Sequence, residues 1–197
     1  MKKVVLFAIS FLLVSCAMGS IKQKQEYYIS PYFNIYSPVK TEKTVLVRSI
    51  TTDEKFNTNL IYYKVDQHKI GHYAFSRWRG TPSDMFKNCL INSLNKSKLF
   101  KLAYTDSNYP IPDYVLEFSI IDLEPIFNDD IQYVAADIHF SLFSYKSHKL
   151  ISEYEFSKKM PIDKIDLKNI VNIVNNLVRD SVLNTVKWLI KNLKSKT

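Results

Sequence analysis

The chain has 197 residues, with 27 Lys and Arg against 19 Asp and Glu for a formal charge of +8, and it contains only three glycines and two cysteines. That length suits one domain with a real core, while two cysteines exclude a disulfide scaffold and three glycines are too few for the usual phosphate-cradling loops. The basic balance would fit nucleic acid in a cytosolic protein and an anionic lipid surface or acidic partner in an exported one; a base-composition bias toward Lys and Asn accounts for it equally well.

Lys2 and Lys3 lead into an apolar run from Val4 to Val14. A run of this length suits a secretory signal and falls short of the ~20 residues that span a bilayer. It ends in Leu13-Val14-Ser15-Cys16, which resembles the lipobox of bacterial lipoproteins. There the cysteine is diacylated on sulfur and becomes the first residue of the mature chain. No A-x-A-like site precedes Ser20, so residues 1–15 are expected to be a lipoprotein signal peptide. Fatty acyl chains on Cys16 would hold the protein at a membrane, each buried CH₂ contributing about 0.8 kcal/mol. Ala17, not aspartate, follows the cysteine. The lipobox resemblance reads that as sorting to the outer membrane, facing the periplasm.

Residues 16–42 carry Pro31, Pro38 and polar residues without a sustained period and read as a lipidated tether. Tyr27, Tyr28, Tyr32, Phe33 and Tyr36 are more aromatics than a free linker needs, so part of it is expected to dock as an extended segment. Residues 43–197 read as a single periplasmic domain. Lys43 to Ile50 is a β-branched strand, and Thr51 to Asn59 is a polar break. Leu60 to Val65 and Lys69 to Trp78 follow as strands joined by a turn.

Thr81 caps a helix with Pro82 in its first position and Asp84 at its positive end. Met85, Phe86, Cys89, Leu90 and Leu94 recur at steps of three and four until about Lys98. Cys89 on this face reads as a small core residue, not a nucleophile. Leu99 to Thr105 is a strand, and Pro110 and Pro112 mark a loop. Asp113–Leu123, Ile131–Tyr145 and Leu150–Met160 alternate with a period of two, as half-buried antiparallel strands do. Lys146-Ser147 is placed as a two-residue hairpin. Asp166 opens the longest helix, whose stripe from Leu167 to Leu193 is broad. The order predicts an α+β fold, a mostly antiparallel sheet packed against two helices, the longer one C-terminal.

No metal-ligand spacing joins His68, His72, His139 and His148, and no G-x-S-x-G elbow occurs. Asp129-Asp130 reads as a solvated turn. We expect no metal site, no cofactor and no catalytic residue.

Tyr73 to Leu94, Y-A-F-S-R-W-R-G-T-P-S-D-M-F-K-N-C-L-I-N-S-L, places Arg-Trp at a strand end, then a Pro-containing turn and an amphipathic helix. With Tyr27-Tyr28-Ile29 near the start and the element order, this resembles the ABC-type transport auxiliary lipoprotein family. The resemblance implies an outer-membrane accessory to a lipid-transporting ABC system, with an Mce-type periplasmic protein and transporter components as partners, a possible homo-oligomer, and no nucleic acid. The other functional classes are a stand-alone envelope binding lipoprotein and a lipoprotein hydrolase. Tyr73, Phe75, Arg77 and Trp78 are the candidate partner-binding residues, since Trp and Arg favour interfaces. Trp78 either anchors a partner or plugs the core above the first helix.

Overall fold

The computed structural model describes residues 24–194 apart from 32–33, 51–52, 67, 106–110 and 129–130. Its strands are β1 (Gln25–Tyr27), β2 (Thr44–Ser49), β3 (Leu60–Val65), β4 (Lys69–Trp78), β5 (Leu102–Tyr104), β6 (Tyr114–Phe127), β7 (Gln132–Ser144) and β8 (Leu150–Pro161). The helices are α1 (Pro82–Ser97) and α2 (Leu167–Lys194), and a 3₁₀ turn spans Glu54–Phe56. The fold is α+β, one eight-stranded sheet with two helices, the longer one C-terminal.

The long strands make an antiparallel meander, β6 to β7 to β8, and β3 and β4 form a second antiparallel hairpin. The short strands join it in parallel: β1 on β4, β5 on β2, and both β2 and β3 on β6. Since β7 fills one edge of β6 along its whole length, β2 and β3 share the other. β2 pairs with Tyr114–Phe118 and β3 with Ile126–Phe127. Between those pairings runs the β2–β3 connection with its 3₁₀ turn. Phe56 of this turn is buried in the core.

The helices cover one face of the sheet. On α1, Met85, Phe86, Leu90 and Leu94 are buried, and the Phe86 ring centroid lies 5.0 Å from Phe118 and 6.2 Å from Phe140. Ile170, Val174, Leu177, Val178, Val182, Val186 and Leu189 form the buried stripe of α2. The Asp84 backbone N–H donates to Thr81 Oγ1 at 3.1 Å, and that of Asn169 to Asp166 Oδ1 at 2.8 Å, so both helices start on a side-chain oxygen. Lys98 ends α1 in the left-handed region at φ 58°. The β7–β8 turn is longer than a two-residue hairpin, with Tyr145 to Ser147 in the turn and His148 at φ 53°.

Part of the stretch read as tether belongs to the body. Besides forming β1, it bonds its Ser30 N–H to Asn175 Oδ1 at 2.9 Å, and Asn175 Nδ2 donates back to the Tyr28 carbonyl at 3.2 Å. Ser37 N and Thr41 N reach the carbonyls of Ser97 and Leu99, at 3.0 and 2.9 Å. Ile29, between these ties, is fully buried.

Candidate functional site

The four residues proposed as a partner surface lie on β4, where the ladder to β3 is irregular. Tyr62 pairs with His72 and Leu60 with Arg77, so four residues of β4, Tyr73 to Ser76, stand opposite Ile61 alone. This four-against-one bulge bends the strand and turns its side chains away from regular alternation. Phe75, inside it, is 57% exposed. Tyr73 is half-buried, its ring 5.2 Å from that of Tyr63, which in turn meets Phe127 at 5.9 Å. Burial, with Tyr63 nearby, pushes the Tyr73 hydroxyl up to about 12, so it stays protonated.

Arg77 holds Glu26 of β1 across the strand pair, Nε donating to Glu26 Oε1 at 3.0 Å. The guanidinium therefore fastens the N-terminal strand instead of standing ready for a partner. Trp78 takes the second of its two readings, in the core, and leaves the partner surface. It is only 4% exposed and lines a cavity of about 10 Å³ with Phe56, Ile61, Pro82, Ile170 and Val174. The strand end drives its indole under α2, so Trp78 is a core plug and no part of a surface. Cys16 lies outside the described residues. Thus Phe75 and Tyr73 remain as surface, with Arg77 beside them.

A charged cluster went unread in the sequence. Lys55, in the 3₁₀ turn, is 9% exposed and places Nζ 2.8 Å from Glu124 Oε1, 3.2 Å from Asp53 and 3.7 Å from Asp122. Lys64 of β3 joins it at 2.6 Å from Asp122 and 3.0 Å from Glu124. Burial works against the Lys64 ammonium, but its hydrogen bonds to Asp122 and Glu124 outweigh this and hold its pKa above the ordinary lysine value. The cluster sits on the stretch of β6 between its pairings with β2 and β3, and its two ammoniums face three carboxylates, which leaves it one negative charge in excess. Asp122 and Glu124, standing where the alternation of Tyr114, Leu116, Phe118 and Ile120 calls for apolar residues, were the available signal. Lys55 lay in a stretch that read as a polar break.

The remaining chemistry is sparse. His72 meets the Tyr62 ring at 6.1 Å, His148 that of Tyr145 at 6.0 Å, and His139 Nε2 lies 3.8 Å from Glu153. Among the described residues no three His, Cys, Asp or Glu side chains are grouped to hold a metal ion. Burial pushes the Cys89 thiol up to about 11, and its Sγ lies 3.5 Å from the Ile29 carbonyl. A thiol so protonated is a poor nucleophile. Trp188 stacks on Tyr154 at 5.7 Å and donates its indole N–H to Ser152 Oγ at 3.1 Å, tying α2 to β8. No helix among the described residues is long and apolar enough to cross a membrane.

No family profile matches the sequence, and no curated protein matches it. The fold, by contrast, has counterparts among solved structures. A Xanthomonas campestris protein of the DUF330 family superposes with a TM-score of 0.74 at 11% identity, over 88% of this chain and 100% of that one. The crystal structure of an uncharacterised protein gives a TM-score of 0.66 at 11% identity, over 85% and 99% of the two chains. At such identities the shared property is the fold, which this chain has in common with the DUF330 structure along nearly its whole described length.

Proposed function

We propose that the chain is a lipoprotein of the bacterial outer membrane, facing the periplasm, that works by binding and carries out no reaction. The observation that carries this reading is the N-terminal pattern: Lys2-Lys3, an apolar run too short to span a bilayer, then Leu13-Val14-Ser15-Cys16. Lys55, Lys64 and Arg77, each engaged in an ion pair, accord with a body that binds. Within that class, the sequence resemblance favours an accessory of an ABC transport system that handles lipid, docking an Mce-type periplasmic protein. Exposed Phe75 beside Tyr73 supplies an aromatic contact for such docking.

The test is to crosslink native membranes, solubilise them gently and identify what purifies with the acylated protein by mass spectrometry. Mce-type and ABC-transporter subunits are the expected companions. Their absence from a clean preparation overturns the transport role and leaves a stand-alone envelope lipoprotein. The anchor is checked separately with Cys16→Ser, which should remain uncleaved or be released from membranes by salt. An acylated product of that variant would sink the lipoprotein reading.

A further inference from the structure

We infer that the end of the sheet at which Ile70 of β4 and Ile131 ahead of β7 stand rests on the surface of the lipid bilayer that holds the acyl chains. The inference deepens the lipoprotein reading and rests on acylation at Cys16.

The direction in which the chain enters the body carries the argument. β1 runs parallel to β4, with Gln25 beside Ser76 and Tyr27 beside Trp78. β4 starts at the hairpin tip, where Lys69 pairs with Val65 and Val65 with Phe127 at the end of β6. The chain ahead of Gln25 therefore arrives from the hairpin-tip end. From Cys16 to Lys24 there are eight residue steps, which reach at most roughly 29 Å when fully extended.

Distances along the sheet then decide which end can meet the membrane. Ser76 lies in the bulge opposite Ile61, about level with Leu123 of β6. From there the tip end is about four residues away, roughly 13 Å. The other end of β6, at Tyr114, is about nine residues away, roughly 30 Å. To set that far end on the bilayer the tether would have to double back and be stretched beyond its full reach. At the tip end it has slack.

The side chains agree. Ile70 near the hairpin tip is 57% exposed, and Ile131, immediately ahead of β7 at the same end, is 61% exposed. Exposed Lys69 adjoins Ile70, and Lys159 Nζ sits 4.8 Å from the ring centroid of Tyr133, two residues after Ile131. Branched aliphatics flanked by lysines and a tyrosine suit the boundary between headgroups and acyl chains. Ile111, though 79% exposed, precedes β6 at the opposite end and serves as the internal control.

The experiment replaces Ile70, Ile131 and Ile111 one at a time with p-benzoylphenylalanine in the full-length chain, expressed and irradiated in its native membrane. A lipid-mass adduct at Ile70 and Ile131, and its loss at Ile111, is the expected pattern. Sedimentation of each variant with salt-washed membranes is read in parallel. Protein that leaves the membrane in salt overturns both the anchor and this orientation. Protein that stays bound but gives no lipid adduct at the tip, protein adducts there instead, or equal lipid adducts at Ile111, overturns the orientation alone.

Discussion

Trp78 and Phe75 stand three residues apart on one strand and meet opposite environments, which makes their substitution a direct comparison. Truncating the buried indole removes contacts with Phe56, Ile61 and α2 that nothing nearby can replace. Trp78→Ala should lower stability by about 3–5 kcal/mol, read as a fall in the urea midpoint. Phe75→Ala, at a bulge facing solvent, should stay within roughly 0.5 kcal/mol of the parent. If Phe75 meets a partner, the same variant loses co-purification without losing stability. Glu124 gives a second case. It is 2% exposed, it accepts from both Lys55 and Lys64, and its Oε2 has no partner among the described residues. Glu124→Gln takes the nearest charge from the Lys55 ammonium but leaves Asp53 and Asp122 at 3.2 and 3.7 Å, so the variant should be less stable by less than the ~3–5 kcal/mol of a fully unpaired buried charge. A variant as stable as the parent would mean that Asp122 and Asp53 suffice to hold Lys55.

At the scale of elements, the β3–β4 hairpin depends on its glycine. Gly71 pairs with Tyr63 across the ladder, and a Cβ built on it would come within 2.5 Å of the Tyr63 ring. The ring can swing aside, since the clash involves its far end, but it then leaves Tyr73 and Phe127. Gly71→Ala should therefore preserve the fold while shifting the aromatic side-chain signals of Tyr73 and Phe127; unchanged spectra would show that Tyr63 does not lie over Gly71. The boundaries of most elements were legible because each depends on nearby residues. Thr81-Pro82 starts α1, Lys98 stops it, and alternation marks β6, β7 and β8. Strand direction was not legible. Alternation states which side chains share a face and says nothing about which edge a strand joins, so the parallel placement of β2 and β3 on one edge of β6 could not be read. The bulge at Tyr73–Ser76 was hidden for a related reason, since it is defined by the partner strand. That bulge separates exposed Phe75 from buried Trp78, so the choice between the two readings of Trp78 needed the partner strand.

Across the whole molecule, the response to acid follows from carboxylates that ion pairs hold charged. Lys87 lowers the pKa of Asp84 by a hydrogen bond, against a smaller effect of burial. At Asp113 and Asp180 burial is the largest single influence and raises the pKa. Hydrogen bonds from Thr44 and Lys43 to Asp113, and from Lys158 and Arg179 to Asp180, overcome it together and leave both lowered. A carboxylate whose folded pKa lies below its unfolded value stabilises the fold above the unfolded value, about 3.9 for Asp, and that contribution is lost as pH falls through the folded value. Asp137 has the opposite sign. It faces Asp122 across β6 and β7, and burial together with Glu155 and Asp122 raises its pKa. Its folded state favours the proton, so Asp137 costs stability once pH rises above the unfolded value and costs none below both values. The melting temperature of the parent should then hold between neutral pH and about pH 4 and fall below it as Asp84, Asp113 and Asp180 take up protons. Asp137→Asn should melt higher than the parent at neutral pH, and the difference should close as the pH is lowered toward 3. Differential scanning calorimetry across this range reads both curves. A gap that persists at low pH would assign the effect to packing or hydrogen bonding of the amide, and a variant that melts lower at neutral pH would mean that the Asp137 carboxylate is held by a favourable partner.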